Sequence, residues 1–128
     1  MKRELVIAGD GSISIEDRTL EIDLGSTRAD GLALELMLVQ EAMVESLTLR
    51  DAIHGRTIKL HKGDVFRAAI EKHADHRTTV ILSHDELGSW IAFLLQYYRD
   101  GVAPVNHLDI EAKGDAAMDI VLRVPEKP

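Results

Sequence analysis

Apolar and polar residues alternate at both ends of this chain, while helix-type spacing fills its middle, and that order restricts the fold more than any other feature. Alternation places successive side chains on opposite faces of a strand, so a strand with one wet face reads apolar, polar, apolar. Glu4 to Ala8 and Ser12 to Glu16 are short runs rich in Ile and Val around Gly9-Asp10-Gly11, a pattern that predicts a β-hairpin. Leu20, Ile22 and Leu24 alternate with Glu21 and Asp23 and extend the pair into a three-stranded meander. At the other end, Asn106 to Glu111 and Ala117 to Val124 alternate around Lys113-Gly114-Asp115, predicting a second hairpin that Pro125 stops.

Between these ends, Leu32, Leu36, Val39 and Met43 recur at helical spacing, and Thr27 with Asp30 resembles a capping box. This predicts a helix reaching Met43 or Val44, apolar on nearly every side and therefore buried. A helical turn over Leu47 to Ile53, ended by Gly55, and a strand from Thr57 to His61 are expected next. Val65, Phe66, Ala69, Ile70 and His73 share one stripe, which predicts a helix from Asp64 to about Asp75. Thr78 to Leu82 is rich in β-branched residues without alternation and reads as a central strand buried on both faces. Ser83 and Glu86 form a capping box for a helix whose core residues are Leu87, Trp90, Ile91, Leu94, Leu95 and Tyr98. Gly101 stands at its C-cap position, and Tyr97 is expected at the surface. The pattern predicts a single α+β domain over residues 1–128, an antiparallel or mixed sheet of about six strands with about three helices on one face. No internal repeat is visible in the letters.

At 128 residues the chain is long enough to bury a core without staples, and with 4% aromatic residues that core must be aliphatic. The absence of cysteine removes disulfides, thiolate nucleophiles and thiolate metal sites. Neither a signal-peptide core nor an apolar run long enough for a bilayer is present, so a soluble, cytoplasmic protein without membrane partners is expected. A net charge of −7 makes nucleic acid an improbable partner, because phosphate-tracking proteins are basic. The charge is unevenly placed. From His54 to Arg77, six Lys and Arg stand against three Asp and Glu, so this window is +3 and the rest of the chain −10. Such polarity suits a protein partner or a second copy of the chain as a homodimer. The residues expected to bind are Arg56, Lys59, Lys62 and Arg67, with Tyr97 and Arg99 on the long helix.

His107, Asp109 and Glu111 leave one face of a predicted strand together and could hold a divalent metal or share acid–base work. They equally fit the polar face of an amphipathic strand. His73 and His76 lie one helical turn apart near the end of the predicted middle helix and could share a metal with His84 and Asp85, although the strand between His76 and His84 would set these at its opposite ends; basic residues at a helix C-terminus also complement the dipole. Ser83-His84-Asp85 reads as a helix cap rather than a triad, and Gly9-Asp10-Gly11 as a turn rather than a phosphate loop. No cofactor motif is recognisable, and the balance favours a non-enzymatic protein.

From Ser83 onward the order is a capped helix, Gly101, Pro104, then Asn106-His107-Leu108-Asp109 entering a hairpin that ends in Asp119-Ile120-Val121-Leu122. This last third resembles the C-terminal half of small bacterial immunity-type proteins, acidic single domains that neutralise a cognate toxin. The resemblance implies a non-enzymatic inhibitor whose acidic surface docks on a basic active site.

Overall fold

The structure, a computed structural model, describes residues 1–64, 68–74, 76–101, 107–114 and 118–125. Among these residues it holds nine strands and two helices. They follow in the order β1 (Lys2–Ile7), β2 (Ser12–Glu16), β3 (Thr19–Asp23), α1 (Ala29–Gln40), β4 (Ser46–Asp51), β5 (Thr57–Lys62), β6 (Ala69–Ala74), β7 (Arg77–Leu82), α2 (His84–Asp100), β8 (His107–Gly114) and β9 (Met118–Arg123). The α+β class holds, with nine strands where about six were expected and two helices where about three were. The strands lie in the order β1-β4-β5-β7-β6-β8-β9-β3-β2. Five of them form one mixed group and four another, joined where Ala69 and Ile70 of β6 meet Lys113 and Gly114 of β8.

Apart from β1, the order ββαββ occurs twice, as β2-β3-α1-β4-β5 and as β6-β7-α2-β8-β9. Each helix is flanked by two antiparallel hairpins. The second strand of each half runs parallel to the last strand of the other, β3 beside β9 and β7 beside β5. A duplicated architecture is thus present without repeated letters, because only the alternation and the helical stripe recur. The helices run antiparallel: Gln40 at the end of α1 donates to the His84 carbonyl at the start of α2, 3.1 Å away, while Arg28 reaches Tyr98. Both lie on the inner face of the sheet, where Leu20, Ile22, Leu47, Leu49, Ile58, Leu60, Val80 and Ile120 join Leu32, Leu36, Trp90 and Leu94 in one aliphatic core.

Several expectations are corrected. β1 does not form a hairpin with β2; it pairs parallel with β4, from Lys2 opposite Ser46 to Ile7 opposite Asp51. Gly9-Asp10-Gly11 carries the chain from one strand group to the other. A Cβ at Gly11 would fall on the Asp23 carbonyl oxygen and within 2.7 Å of Ile7 Cγ2, so only glycine fits. Thr27 does not cap α1. Its Oγ1 accepts from Ala8 N at 2.8 Å, Arg28 is the N-cap residue, and the helix ends at Gln40. Nor is α1 buried all round, since Leu34 is 57% and Met37 42% exposed.

Over Leu47 to Asp51 the expected helical turn is strand β4, from which Leu47 and Leu49 point inward; only Ala52 to His54 turn, and Gly55 N donates to the Asp51 carbonyl at 2.9 Å. The helix expected from Asp64 to Asp75 is replaced over 69–74 by strand β6, paired antiparallel with β7; residues 65–67 and 75 lie outside the described residues. Ala, Glu and Lys favour helix intrinsically, but cross-strand pairing of Ile70 with Val80 decides. β7 is internal as expected, yet only one of its faces is fully buried: Thr78, Val80 and Leu82 point inward and Thr79 and Ile81 are half-buried. The capping box of α2 is present in full, with Ser83 Oγ accepting from Glu86 N and Glu86 Oε1 from Ser83 N, both at 3.1 Å. Glu86 Oε2 also accepts from Ala68 N at 2.9 Å, so the cap anchors the approach to β6. Gly101 ends the helix at φ +72. Trp90 is fully buried, but the tyrosines exchange places: Tyr97 packs against the core, Tyr98 is 57% exposed, and Leu95 is exposed as well.

Candidate functional site: two charged sheet faces

The strand registers determine which polar side chains share the outer surface. In the second strand group His107 stands opposite Arg123, Asp109 opposite Val121 and Glu111 opposite Asp119. β3 continues these rows with Thr19, Glu21 and Asp23, and β2 with Glu16, Ser14 and Ser12. Six carboxylates, those of Glu16, Glu21, Asp23, Asp109, Glu111 and Asp119, therefore share one face with a single guanidinium, that of Arg123. Arg123 is engaged by Glu21, whose hydrogen bond raises the Arg123 pKa. Asp109, Glu111, Asp119 and Glu16 are exposed.

His107, Asp109 and Glu111 leave the same face of β8 as expected, with His107 Nε2 3.8 Å from Asp109 Oδ1. Among the described residues no three His, Asp or Glu side chains gather closely enough to hold a metal ion. His76 lies in the turn before β7 and His84 starts α2, at opposite ends of β7, and the helix expected to carry His73 is strand β6.

The outer surface of the first strand group is basic. β4, β5 and β7 run side by side, with Thr48 opposite Lys59 and Lys59 opposite Thr79 in one row. In the adjoining row Arg50 is opposite Thr57 and Thr57 opposite Arg77. Cations and threonine hydroxyls thus alternate in both directions. Together with Glu4, His54 and His76 they line an open, concave groove of about 890 Å³. Glu4 is bound to Arg50, at 2.8 and 3.2 Å, and that hydrogen bond holds the Glu4 carboxyl below its usual pKa. Lys59 is half-buried, and neither it nor Arg77 meets a carboxylate among the described residues.

Of the described residues expected to bind, only Lys59 lines the groove. Arg56 lies in the loop before β5, its Nε buried without a hydrogen-bond partner among the described residues. Lys62 turns away and donates to the Gln40 carbonyl at 2.7 Å, satisfying the end of α1. Tyr97 packs on the core, Arg99 pairs with its neighbour Asp100 at 2.7 Å, and Arg67 lies outside the described residues. Sequence reasoning missed Thr48, Arg50, Thr57 and Thr79 as members of one surface. The signal was their parity, since Thr48 and Arg50, Thr57 and Lys59, and Arg77 and Thr79 each occupy alternate positions of one strand.

Asp51 went unnoticed as well. Its side chain is 1% exposed at the end of β4, and it holds the two strand groups together. Oδ2 accepts from Ile13 N of β2 at 2.9 Å and meets His54 Nδ1 at 3.1 Å; Oδ1 accepts from Ile53 N at 2.7 Å and His54 N at 3.1 Å. Burial pushes its pKa up, but these hydrogen bonds prevail and hold it down to about 2.

No protein-family model matches the chain, and no curated protein matches it. Among the described residues, no helix is long and apolar enough to cross a membrane.

Proposed function

We propose that this protein is a small non-enzymatic binding protein, an immunity-type inhibitor that docks its acidic sheet face on a basic partner protein. The observation that carries this reading is the outer face of β8, β9, β3 and β2, where Glu16, Asp109, Glu111 and Asp119 are exposed and Glu21 and Asp23 are half-buried, Glu21 being paired with Arg123. Such a face raises the local concentration of a cationic partner and speeds encounter, and its charges are placed by rigid strands rather than by loops. The strands that carry the resemblance to immunity-type proteins, β8 and β9, supply three of the six carboxylates. A cytoplasmic location and action as a monomer or homodimer are compatible with this reading.

The experiment is affinity capture from the native host with two baits, the wild-type protein and a variant combining Asp109→Lys, Glu111→Lys and Asp119→Lys. A basic protein retained by the first bait and lost from the second, whose toxic activity the wild-type protein suppresses, supports the proposal. Capture of the same protein by both baits, or a captured protein whose activity is unaffected, contradicts it.

A further inference from the structure

The basic groove on the opposite strand group is not used by the proposed inhibitor surface and has its own chemistry. Its centre is a two-row array in which Thr48, Lys59 and Thr79 alternate with Arg50, Thr57 and Arg77. Neighbouring strands are about 4.8 Å apart and alternate residues along a strand about 6.8 Å, so these hydroxyl and cationic groups converge within one ligand's length. Glu4 neutralises Arg50, whereas Lys59 and Arg77 have no carboxylate among the described residues. Two cations without a carboxylate among the described residues, in a concavity of about 890 Å³, focus a positive potential that water and small counterions must otherwise satisfy. We propose that this groove binds a small ligand bearing several phosphate groups, an oligophosphate chain free or carried by a nucleotide.

Three features favour phosphate chains over other anions. Each phosphate presents several outward oxygens, which suits hydroxyl and cationic donors interleaved on a surface better than the two coplanar oxygens of a carboxylate. The volume is that of a small-molecule site, and the net charge of −7 opposes a long polyanion. Among the described residues Ala74 is the only apolar side chain in the lining, which suits a ligand held by its charge. Thr57 Oγ1 lies 3.3 Å from the His76 carbonyl and has to turn from it to donate to a ligand.

The test is calorimetric titration of the intact protein with tripolyphosphate, ATP and citrate, at low and near-physiological salt. Tripolyphosphate is expected to bind, with citrate at least about tenfold weaker. Lys59→Met and Arg77→Met are each expected to weaken binding by about tenfold, and the weakening should be greatest at low salt. Both residues lie on the outer face, and a melting temperature matching wild type shows that a variant is folded. Similar affinity for ATP and tripolyphosphate assigns the ligand to free oligophosphates, and a preference for ATP assigns it to nucleotides; both support the proposal. It is overturned if millimolar tripolyphosphate does not bind, if citrate binds equally well, or if the two methionine variants bind as wild type does. The acidic-face triple variant should bind tripolyphosphate unchanged, so failure here and failure of the inhibitor reading are separate results.

Discussion

Replacing Asp51 by Asn should destabilise the protein far more than an isosteric change usually does. Each carboxylate oxygen of Asp51 serves two partners, Oδ2 the Ile13 N–H and the His54 ring, Oδ1 the Ile53 and His54 N–H groups. An amide cannot do this. Whichever way it is turned, its NH₂ faces backbone donors, and with NH₂ in place of Oδ2 the buried Ile13 N–H loses its acceptor. Either orientation leaves one of the two sets of N–H groups without an acceptor and takes the charge from the other, and a lost hydrogen bond to a buried charged acceptor costs about 1.5–3 kcal/mol. For a chain of this size that corresponds to a fall in Tm of roughly 5–12 °C. The carboxyl pKa supplies an independent check. Its displacement from 3.8 to about 2 contributes about 2.5 kcal/mol. Because the folded value is the lower one, this stability is present in full above the unfolded pKa and is lost as the pH falls through 2. Urea unfolding of the wild type and of Asp51→Asn between pH 7 and pH 2 should therefore show a large gap that narrows in acid. An Asn variant within about 0.5 kcal/mol of wild type at pH 7, or a gap that ignores pH, would refute the assignment of Asp51 as the clamp between β2 and β4.

Trp90→Ala should cost about 3–5 kcal/mol in equilibrium unfolding, since the side chain is fully buried between the helices and the sheet, and Trp90 in the intact protein should fluoresce as a buried indole. Glu86→Ala should cost more than Ser83→Ala, for which about 1 kcal/mol is expected from the cap alone, because Glu86 also holds the Ala68 N–H; equal melting temperatures would contradict this. Arg50→Ala should leave the melting temperature close to that of wild type, as its partner Glu4 is exposed and the pair is solvent-screened; a fall as large as that of Trp90→Ala would contradict this.

Legibility in the sequence followed the length and context of each pattern. The long helix α2 could be read because a capping box, a left-handed glycine cap and a stripe over seventeen residues agree. The terminal hairpin and the N-terminal strands could be read as strands because alternation is a local property. Their partners could not, since nothing in Glu4 to Ala8 distinguishes a neighbour six residues away from β4. Ala69 to Ala74 misled because a short apolar run fits both periods and its helix-favouring residues are overruled by the pairing with β7. Tyr97 and Tyr98 exchanged roles because the helix stripe is too broad to separate adjacent residues. The charge window was a true signal placed on the wrong members. Linear clustering gathered Lys62 and Arg56 with Lys59, whereas strand pairing gathers Thr48, Arg50 and Arg77 around it. The acidic face was visible only in its β8 part, as His107, Asp109 and Glu111, because Glu16, Glu21 and Asp23 come from strands about ninety residues earlier that join it through β9.

The most direct measurement is the affinity of the captured partner for three forms of the protein: wild type, the Asp109→Lys/Glu111→Lys/Asp119→Lys variant, and a Lys59→Glu/Arg77→Glu variant reversed on the opposite face. Docking through the acidic face predicts that the first reversal weakens binding by at least about a hundredfold and removes most of its salt dependence, while the second leaves it within about threefold of wild type. Equal loss in both variants, or loss only in the second, would contradict it.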